Sequence, residues 1–270
     1  MFLILIKRID QGTENVIQAC VENGVPSLLY TSSMEVIGPN HNRDPFVRGS
    51  EDTPYQVINH MPYPRSKAEA ERLVLEANGI QVQGGQTLCS CSLRPTGIYG
   101  EGHQLMREFW EECVRRGGVH VGGIPDQVEH GRVYAGNVAW MHVLAARALR
   151  EAPQSVAGEA FFCYDDSPYK SYEDFNMQFF AASNFRRVRV PLVLLFLMAF
   201  INDLLRWILS PVYNYTPLLN RYTLAVASTS FTVGTDKAFR HFKYTPLYSW
   251  DQCRQRTQEF VDSFGRDKRA

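Results

Sequence analysis

What this chain most plainly lacks is an excess of charge of either sign: its 270 residues carry 28 Lys plus Arg against 28 Asp plus Glu, for a formal net charge of +0 at pH 7. Without a net field it does not gather nucleic acid or an anionic surface from a distance, so the expected partner is small or apolar, and any basic patch is local. Metal-ligand spacing is lacking too. The cysteines, at 20, 89, 91, 113, 163 and 253, include no Cys-x-x-Cys, and the scattered histidines give no pair on one helix face, which leaves a zinc or di-iron site without support. Several of the cysteines sit in apolar runs, where a reduced thiol serves as a small hydrophobe, so a reducing compartment is expected. The opening "MFLILIKRIDQG" has neither the basic start nor the small-residue cleavage site of a signal peptide. It reads as a strand or as a foreign start. No internal repeat and no low-complexity stretch is present.

What is there is a chain 45% hydrophobic, enough for one large domain or one and a half ordinary ones. Residues 13–23 are apolar at helical spacing (Val16, Ile17, Cys20, Val21) and stop at Gly24, leading into "VPSLLYTSS", a buried strand that ends in small hydroxylated residues. A polar loop at 38–53, rich in Pro, Asn and Gly, precedes a helix at 64–77 with Gly79 as its stop. "TLCSCSLRPTGIYG" is a further strand closing in a turn. Helices follow at 103–116 and 137–150, the second with Asn137 as N-cap, and "EAFFCY" is the next strand. This alternation predicts an α/β fold, a doubly wound parallel sheet with helices on both faces, whose ligands bind at the carboxyl ends of the strands. "YTSS", "RPTGIYG" and "FCYDDSP" all end there.

From 190 to 201 the chain is continuously apolar, and after Asn202 and Asp203 it resumes as "LLRWILSPVY". The uncharged run is shorter than the roughly 20 residues of a spanning helix. Two readings stand: a buried helix, or a helix lying in or dipping into a membrane. The closing part holds a helix, a proline turn, an amphipathic helix and a charged tail that should fray.

In "MPYPRSKAEAE", Tyr63 and Lys67 lie four apart, one above the other on a helix. A nearby ammonium favours the phenolate and lowers a pKa that is ordinarily about 10. The tyrosine then exchanges a proton with a substrate hydroxyl or carbonyl, with Ser33, at the end of the preceding strand, as second donor. A Tyr and Lys at this spacing also occur by chance on helix surfaces; the strand ending in Ser32 and Ser33 is what gives the pair its context.

"YTSSMEVIGPN", "PYPRSKAEAERLVLEANG", "LRPTGIYGEGHQ" and "EHGRVYAGNVAWMHVLAARAL" resemble the extended short-chain dehydrogenase/reductases, and among them the 3β-hydroxysteroid dehydrogenase/Δ5-isomerase family. "FCYDDSPYKSYEDFNM" and "LLNRYTLAVASTSFTV" are most similar to its branch acting on 3β-hydroxy-Δ5-C27 steroids of bile-acid synthesis. The likeness runs from Gly12 nearly to the end. It implies a Rossmann-like fold, with 1–150 as a partial NAD-binding domain carrying the catalytic residues and 151–270 as a smaller substrate-binding, membrane-associating region. It also implies NAD as cofactor, a sterol substrate, the endoplasmic reticulum membrane as location and a homodimer as assembly, while the balanced charge argues for no nucleic-acid partner.

Residue by residue, the resemblance makes Ser33 the group that orients the steroid oxygen, Tyr63 the acid/base and Lys67 the ligand of the nicotinamide ribose. Pro95 and Thr96 lie against the nicotinamide side. Asp165 and Asp166 match the acidic pair of the Δ5 to Δ4 isomerisation, although two solvated turn carboxylates before Pro168 fit the residues as well. Arg132 and Tyr134 fall where extended members line the substrate pocket, and "GRVY" reads equally as strand packing.

The same family opens with a strand, a glycine-rich turn and a helix that receives the pyrophosphate. No GxGxxG or GxxGxxG occurs here; Gly97, Gly100 and Gly102 belong to the later "GIYGEG" turn. The expectation is a chain starting midway through the nucleotide-binding half, its "YTSS" strand left with an unpaired edge. The alternative to an active dehydrogenase is then an inactive chain that binds sterol or a partner. A nucleotide-sugar epimerase shares the triad but has no need of the long apolar segment.

Overall fold

The computed structural model describes residues 2–40, 42–55 and 61–265. In chain order its elements are α1 (Phe2–Glu22), β1 (Ser27–Thr31), β2 (Phe46–Gly49), α2 (Pro62–Glu76), β3 (Cys89–Pro95), β4 (Gly97–Tyr99), α3 (Gln104–Arg115), β5 (Val119–Gly122) and β6 (Arg132–Tyr134). There follow α4 (Ala135–Glu151), β7 (Ala160–Cys163), α5 (Tyr172–Met177), β8 (Arg186–Arg189), α6 (Leu192–Leu209), α7 (Arg221–Ser228), β9 (Phe231–Val233), α8 (Lys237–Phe242) and α9 (Trp250–Ser263). The expected charged tail at 266–270 lies outside the described residues.

The central sheet is parallel in the order β1-β3-β7, with Leu29 opposite Cys91 and Leu93 opposite Phe161. Three further parallel pairs join β2 to β9, β4 to β6 and β5 to β8. Parallel strands need long crossovers and sheltered faces, and β3 and β7 of the central sheet have both. Cys91, Leu93, Phe161 and Cys163 are buried against Met141 and Ala145 of α4. A second core is aromatic: Tyr99, Phe175, Phe179 and Phe180 pack with Phe264 and Cys253. The α/β architecture with parallel sheets is thus as expected, and among the described residues β1 pairs on one side only.

Four expectations need correction. The apolar start is not a strand, because α1 runs unbroken from Phe2; no proline interrupts it, and a helix once nucleated extends at one hydrogen bond per residue. The stretch read as polar loop holds β2, whose Phe46 stacks on Phe231 with ring centroids 4.6 Å apart. Four residues are too few to show a period, and the partner strand is far along the chain. Asn137 is not an N-cap, since α4 already begins at Ala135. Its side chain is buried, accepting from the Tyr248 N–H (2.8 Å) and donating to Asp165 (2.9 Å). Finally, α6 is not a buried helix: Ala199 is its one buried residue.

The helix that matters most for the site is α2. Pro62 and Pro64 occupy its first turn, where a missing N–H has no intrahelical partner. Its inner face carries Ala70, Glu71 and Val74, all buried. The Ser90 hydroxyl donates to the Val74 carbonyl (2.5 Å), and the Ser92 hydroxyl donates to Glu71 Oε2 (2.7 Å). Arg94 donates from Nε to Oε2 (3.0 Å) and from Nη2 to Oε1 (2.6 Å) of the same carboxylate. With the Arg94 and Glu71 side chains 15% and 7% exposed, this is a buried, forked ion pair. Glu71→Ala strands the guanidinium, and the expected loss is about 3–5 kcal/mol of unfolding free energy. Urea denaturation of the variant beside the native chain measures it.

Candidate active site

A cavity of about 1230 Å³ opens at the carboxyl ends of β1 and β3. Thr31 ends β1 with Ser32 and Ser33 after it, Pro95 ends β3 with Thr96 after it, and Tyr63 and Lys67 come from the first turns of α2. Apolar walls are added by Met34, Ile98, Leu105, Phe109, Leu218 and Leu219.

Tyr63, Lys67 and Glu71 follow one another at intervals of four along α2, so all three share the face turned to the sheet. Glu71 anchors that face, Lys67 reaches the end of β1, and Tyr63, 48% exposed, stands at the cavity mouth. The Lys67 ammonium donates to the Thr31 carbonyl (2.6 Å) and lies 4.9 Å from the Tyr30 ring centroid. Burial holds its pKa below the usual value, with the Glu71 charge opposing. The expected lowering of the Tyr63 pKa is not found. Burial pushes the phenol up, the hydrogen bond with Ser33 pulls it down, and the Glu35 charge adds to the rise. The physical reason is burial, which outweighs the pull of the Ser33 hydrogen bond, while the Lys67 ammonium is engaged by the Thr31 carbonyl and the Tyr30 face.

Ser33 is 9% exposed, and its hydroxyl also accepts from the Glu35 N–H (3.2 Å), capping the short turn Met34–Val36. Beside it, the buried hydroxyls of Ser32 and Thr96 have no hydrogen-bond partner among the described residues. Arg132 lines the cavity, 5% exposed. Its guanidinium lies 4.6 Å from the Phe175 ring centroid and 5.0 Å from that of Tyr172, with Nε and Nη2 unbonded among the described residues. Gly97 makes room for it, since a Cβ there would stand 3.1 Å from both Arg132 and Tyr172.

Asp165, Asp166 and Tyr134 are not brought into this cavity. Asp165 is consumed structurally: Oδ2 accepts from the Tyr134 N–H (2.8 Å) and the Asn137 amide (2.9 Å), and Oδ1 accepts from the Ser167 N–H (3.0 Å). Asp166 is exposed to solvent. The Tyr134 ring is buried, 5.8 Å from that of Tyr99, and its hydroxyl donates to Glu101 (2.6 Å). Two carboxylates went unnoticed in the sequence. Glu71 had a signal, because it continues the four-residue spacing of Tyr63 and Lys67. Glu35 lines the cavity and accepts a short hydrogen bond from the Tyr222 hydroxyl; its one signal is its place two residues after Ser33.

A family model described as the 3-beta hydroxysteroid dehydrogenase/isomerase family matches residues 4–194. Over 257 residues the chain is 59% identical to the 3 beta-hydroxysteroid dehydrogenase type 7 of Homo sapiens, covering 94% of this chain and 70% of that one. It is 41% identical to the 3 beta-hydroxysteroid dehydrogenase/Delta 5-->4-isomerase of vaccinia virus (strain Western Reserve), over 93% of this chain and 71% of the viral one. Among solved structures, DesIV, a dTDP-glucose 4,6-dehydratase from Streptomyces venezuelae with NAD and TYD bound, superposes with a TM-score of 0.61 at 16% identity, over 96% of this chain and 66% of that one. That likeness is one of fold.

Next to the cavity, His130 is fully buried. Its Nε2 lies 3.0 Å from the Val226 carbonyl, and its ring is 4.1 Å from that of Tyr172. Burial lowers its pKa to about 4, with the backbone hydrogen bond opposing and the Arg132 charge adding to the fall. The unfolded chain, with a histidine pKa of about 6.5, takes up the proton first. Stability is therefore full above about pH 6.5 and lost as the pH falls toward about 4, by up to about 1.4 kcal/mol per unit from this residue. Urea unfolding at several pH values in that window measures the slope, and His130→Gln is expected to flatten it.

Proposed function

The chain belongs to the 3-beta hydroxysteroid dehydrogenase/isomerase family, and from that premise we propose that it oxidises the 3β-hydroxyl of a C27 Δ5 sterol to the 3-oxo form, with NAD as cofactor, and shifts the double bond from Δ5 to Δ4. The observation that carries this reading is the convergence of Ser33, Tyr63 and Lys67 on one large, mainly apolar cavity at the ends of β1 and β3. A rigid four-ring alcohol needs such walls, with polar groups confined to one end.

The residues at that end fit the cofactor's nicotinamide side. Ser32 and Thr96 offer buried hydroxyls with no partner among the described residues, and Pro95 gives a flat apolar edge. Tyr63, Lys67, Pro95 and Thr96 are the groups that would hold it. NAD bound there supplies the acceptor for the hydride from C3. Ser33 fixes the sterol 3-oxygen by hydrogen bonding, and Tyr63 takes that oxygen's proton as the carbonyl forms. Lys67, steadied by the Thr31 carbonyl, presents its ammonium to the ribose. Arg132, with two unbonded nitrogens in the wall, binds a polar oxygen of the substrate. On this reading 1–150 carries the catalytic groups and the cofactor side, and 151–270 the substrate and membrane side.

The membrane is that of the endoplasmic reticulum, and α6 is the element that meets it. Its 18 residues are long and apolar enough to cross a bilayer by length and composition. The polar groups nevertheless turn inward: the Asn202 amide donates to the Leu219 carbonyl (2.8 Å), and Asp203 pairs with Arg221 (2.8 Å). Leu192, Leu195 and Phe196 pack on Ile124, Val128 and Leu224. Outward stand Val193, Leu197, Phe200, Leu204 and Trp207, the last 75% exposed. This division suits a helix lying in the interface with one face immersed.

Tyr63→Phe keeps the ring and removes the proton acceptor, so oxidation of a 3β-hydroxy-Δ5-C27 sterol with NAD is expected to fall ~10²–10⁴-fold. Native turnover in that variant refutes the assignment. Replacing Leu197, Phe200 and Trp207 together by Glu is expected to release the chain from phospholipid vesicles in a flotation assay, while circular dichroism stays native.

A further inference from the structure

Where the cavity wall reaches the molecular surface, Ile98, Leu105 and Leu218 stand exposed beside Tyr63. The exposed charged residues of the wall, Glu108, Arg115 and Arg116, belong to α3 or its C-cap, and Glu112 pairs with both arginines. Leu218 ties this opening to α6. Its segment is clamped to that helix by Asn202, which itself lines the cavity, donates to the Leu219 carbonyl (2.8 Å) and accepts from the Tyr215 hydroxyl (3.1 Å). Leu219 packs with Leu195 and Phe196 of α6. The apolar exposure of α6 continues past its end through Val212, 85% exposed, and Tyr213 to Leu218, and a contiguous patch of this kind marks a surface that something apolar covers. A bilayer fits it better than a folded partner. Every exposed residue of α6 is apolar, without the polar rim of a protein interface. Trp207 and Tyr213 stand at one end, where amphipathic rings suit the headgroup level. At the other, the exposed arginines of β8 lead into the helix, and Arg186 among them has no carboxylate partner among the described residues, which leaves it for a lipid phosphate.

We propose that the cavity opens into the bilayer, and that the sterol passes between lipid and cavity along the lip at Leu218 without entering water. The inference rests on the sterol and membrane readings above and adds a route to them. Because Asn202 holds the 215–219 segment to α6, immersing the outer face of the helix brings the lip to the lipid with it. The charged residues of α3 at the opening then stand among headgroups, where ion pairs and long basic side chains remain solvated. The direction of entry agrees with the chemistry. A sterol lies in a leaflet with its 3β-hydroxyl toward the headgroups, so a molecule rising out of the leaflet enters the cavity hydroxyl first. That hydroxyl is the group that Ser33 and Tyr63 receive, and the rings follow along Leu105, Phe109, Leu218 and Leu219. The apolar surface of the substrate is covered at every stage, first by acyl chains and then by the wall.

The test labels Leu218→Cys in the full chain with a nitroxide and adds vesicles of phosphatidylcholine and phosphatidylserine. Leu218 is exposed, so the fold is kept, and the labelled native chain gives the background from Cys89, its one cysteine that is not buried. Once the chain floats with the vesicles, collisions of the label with oxygen, which concentrates in lipid, are expected to overtake those with a water-soluble nickel chelate. The same label on Ile80→Cys, at a residue whose carbonyl accepts from the Leu88 N–H beside the amino end of β3, stays with the chelate. A second arm binds the native chain, with NAD, either to vesicles that carry a 3β-hydroxy-Δ5-C27 sterol or to sterol-free vesicles later mixed with sterol-bearing ones. Oxidation of sterol from the chain's own vesicle is expected to be at least ~10-fold faster, because sterol from another vesicle must bare its apolar surface to water on the way. A label at position 218 that stays in water on a floating chain overturns the route, and so do equal rates in the two arrangements. A chain whose label enters lipid but which oxidises sterol in neither arrangement overturns the sterol reading and the route with it. One that does not float overturns the membrane reading likewise.

Discussion

The forked pair between Glu71 and Arg94, with Ser92 on the same carboxylate, is the constraint on which the site depends. Neither ion tolerates burial alone, and each satisfies the other only when α2 lies against β3 in one register and one rotation. Helix geometry transmits that rotation upward. Lys67 is one turn before Glu71 and Tyr63 one turn before that, so fixing Glu71 on the sheet aims Lys67 at the Thr31 carbonyl and leaves Tyr63 at the cavity mouth. An apolar contact in place of the pair would hold α2 to the sheet but would not define its rotation as sharply.

Because the helix is fixed this way, the cavity is polar at one end and apolar along its length. The polar end gathers Ser32, Ser33, Thr96, Tyr63 and Lys67 where β1 and β3 stop. Buried hydroxyls and guanidinium nitrogens without a hydrogen-bond partner cost free energy. Ser32, Thr96 and Arg132 all bear that cost within reach of the same space. Such a concentration of buried donors in one wall suits a polar ligand that completes their hydrogen bonds.

Most of the fold was legible in the sequence, because parallel strands and the helices between them carry strong periodic or apolar signals. β1, α2, β3, α3 and β7 stand near where the pattern puts them. What escaped was non-local. β2 exists because Phe46 meets Phe231, a pairing that no window around residue 46 contains. Asn137 looks like a cap by residue type, yet its amide joins Asp165 to Tyr248, which sequence distance conceals. The same network withdraws Asp165 from chemistry: a carboxylate already holding three N–H donors has little capacity left for a proton from carbon. Ser33, Tyr63 and Lys67, which line one cavity, could be grouped from the sequence because their spacing is local to a strand end and a helix start. Glu35 shares that neighbourhood, but its distinguishing partner, Tyr222, comes from α7.

The apolar outer face of α6 and the apolar cavity wall are parts of one structural unit. The inner stripe of α6 packs on Leu224 of α7, and the segment between the two helices supplies Tyr215, Pro217, Leu218 and Leu219 to the cavity wall. Tyr215 also donates to Asn202 of α6 (3.1 Å), and Tyr222, at the start of α7, donates to Glu35. A displacement of α6 in its surroundings is therefore felt at the wall and, through α7, at the carboxylate beside Ser33. For a sterol, which leaves water for lipid at ~25 cal/mol for each Å² of apolar surface, the favourable path runs from one apolar medium to another. On the sterol and membrane readings proposed above, the exposed face of α6 is where that path begins, and the 215–219 segment, with Leu218 78% exposed, is the part of the cavity wall nearest to it in sequence.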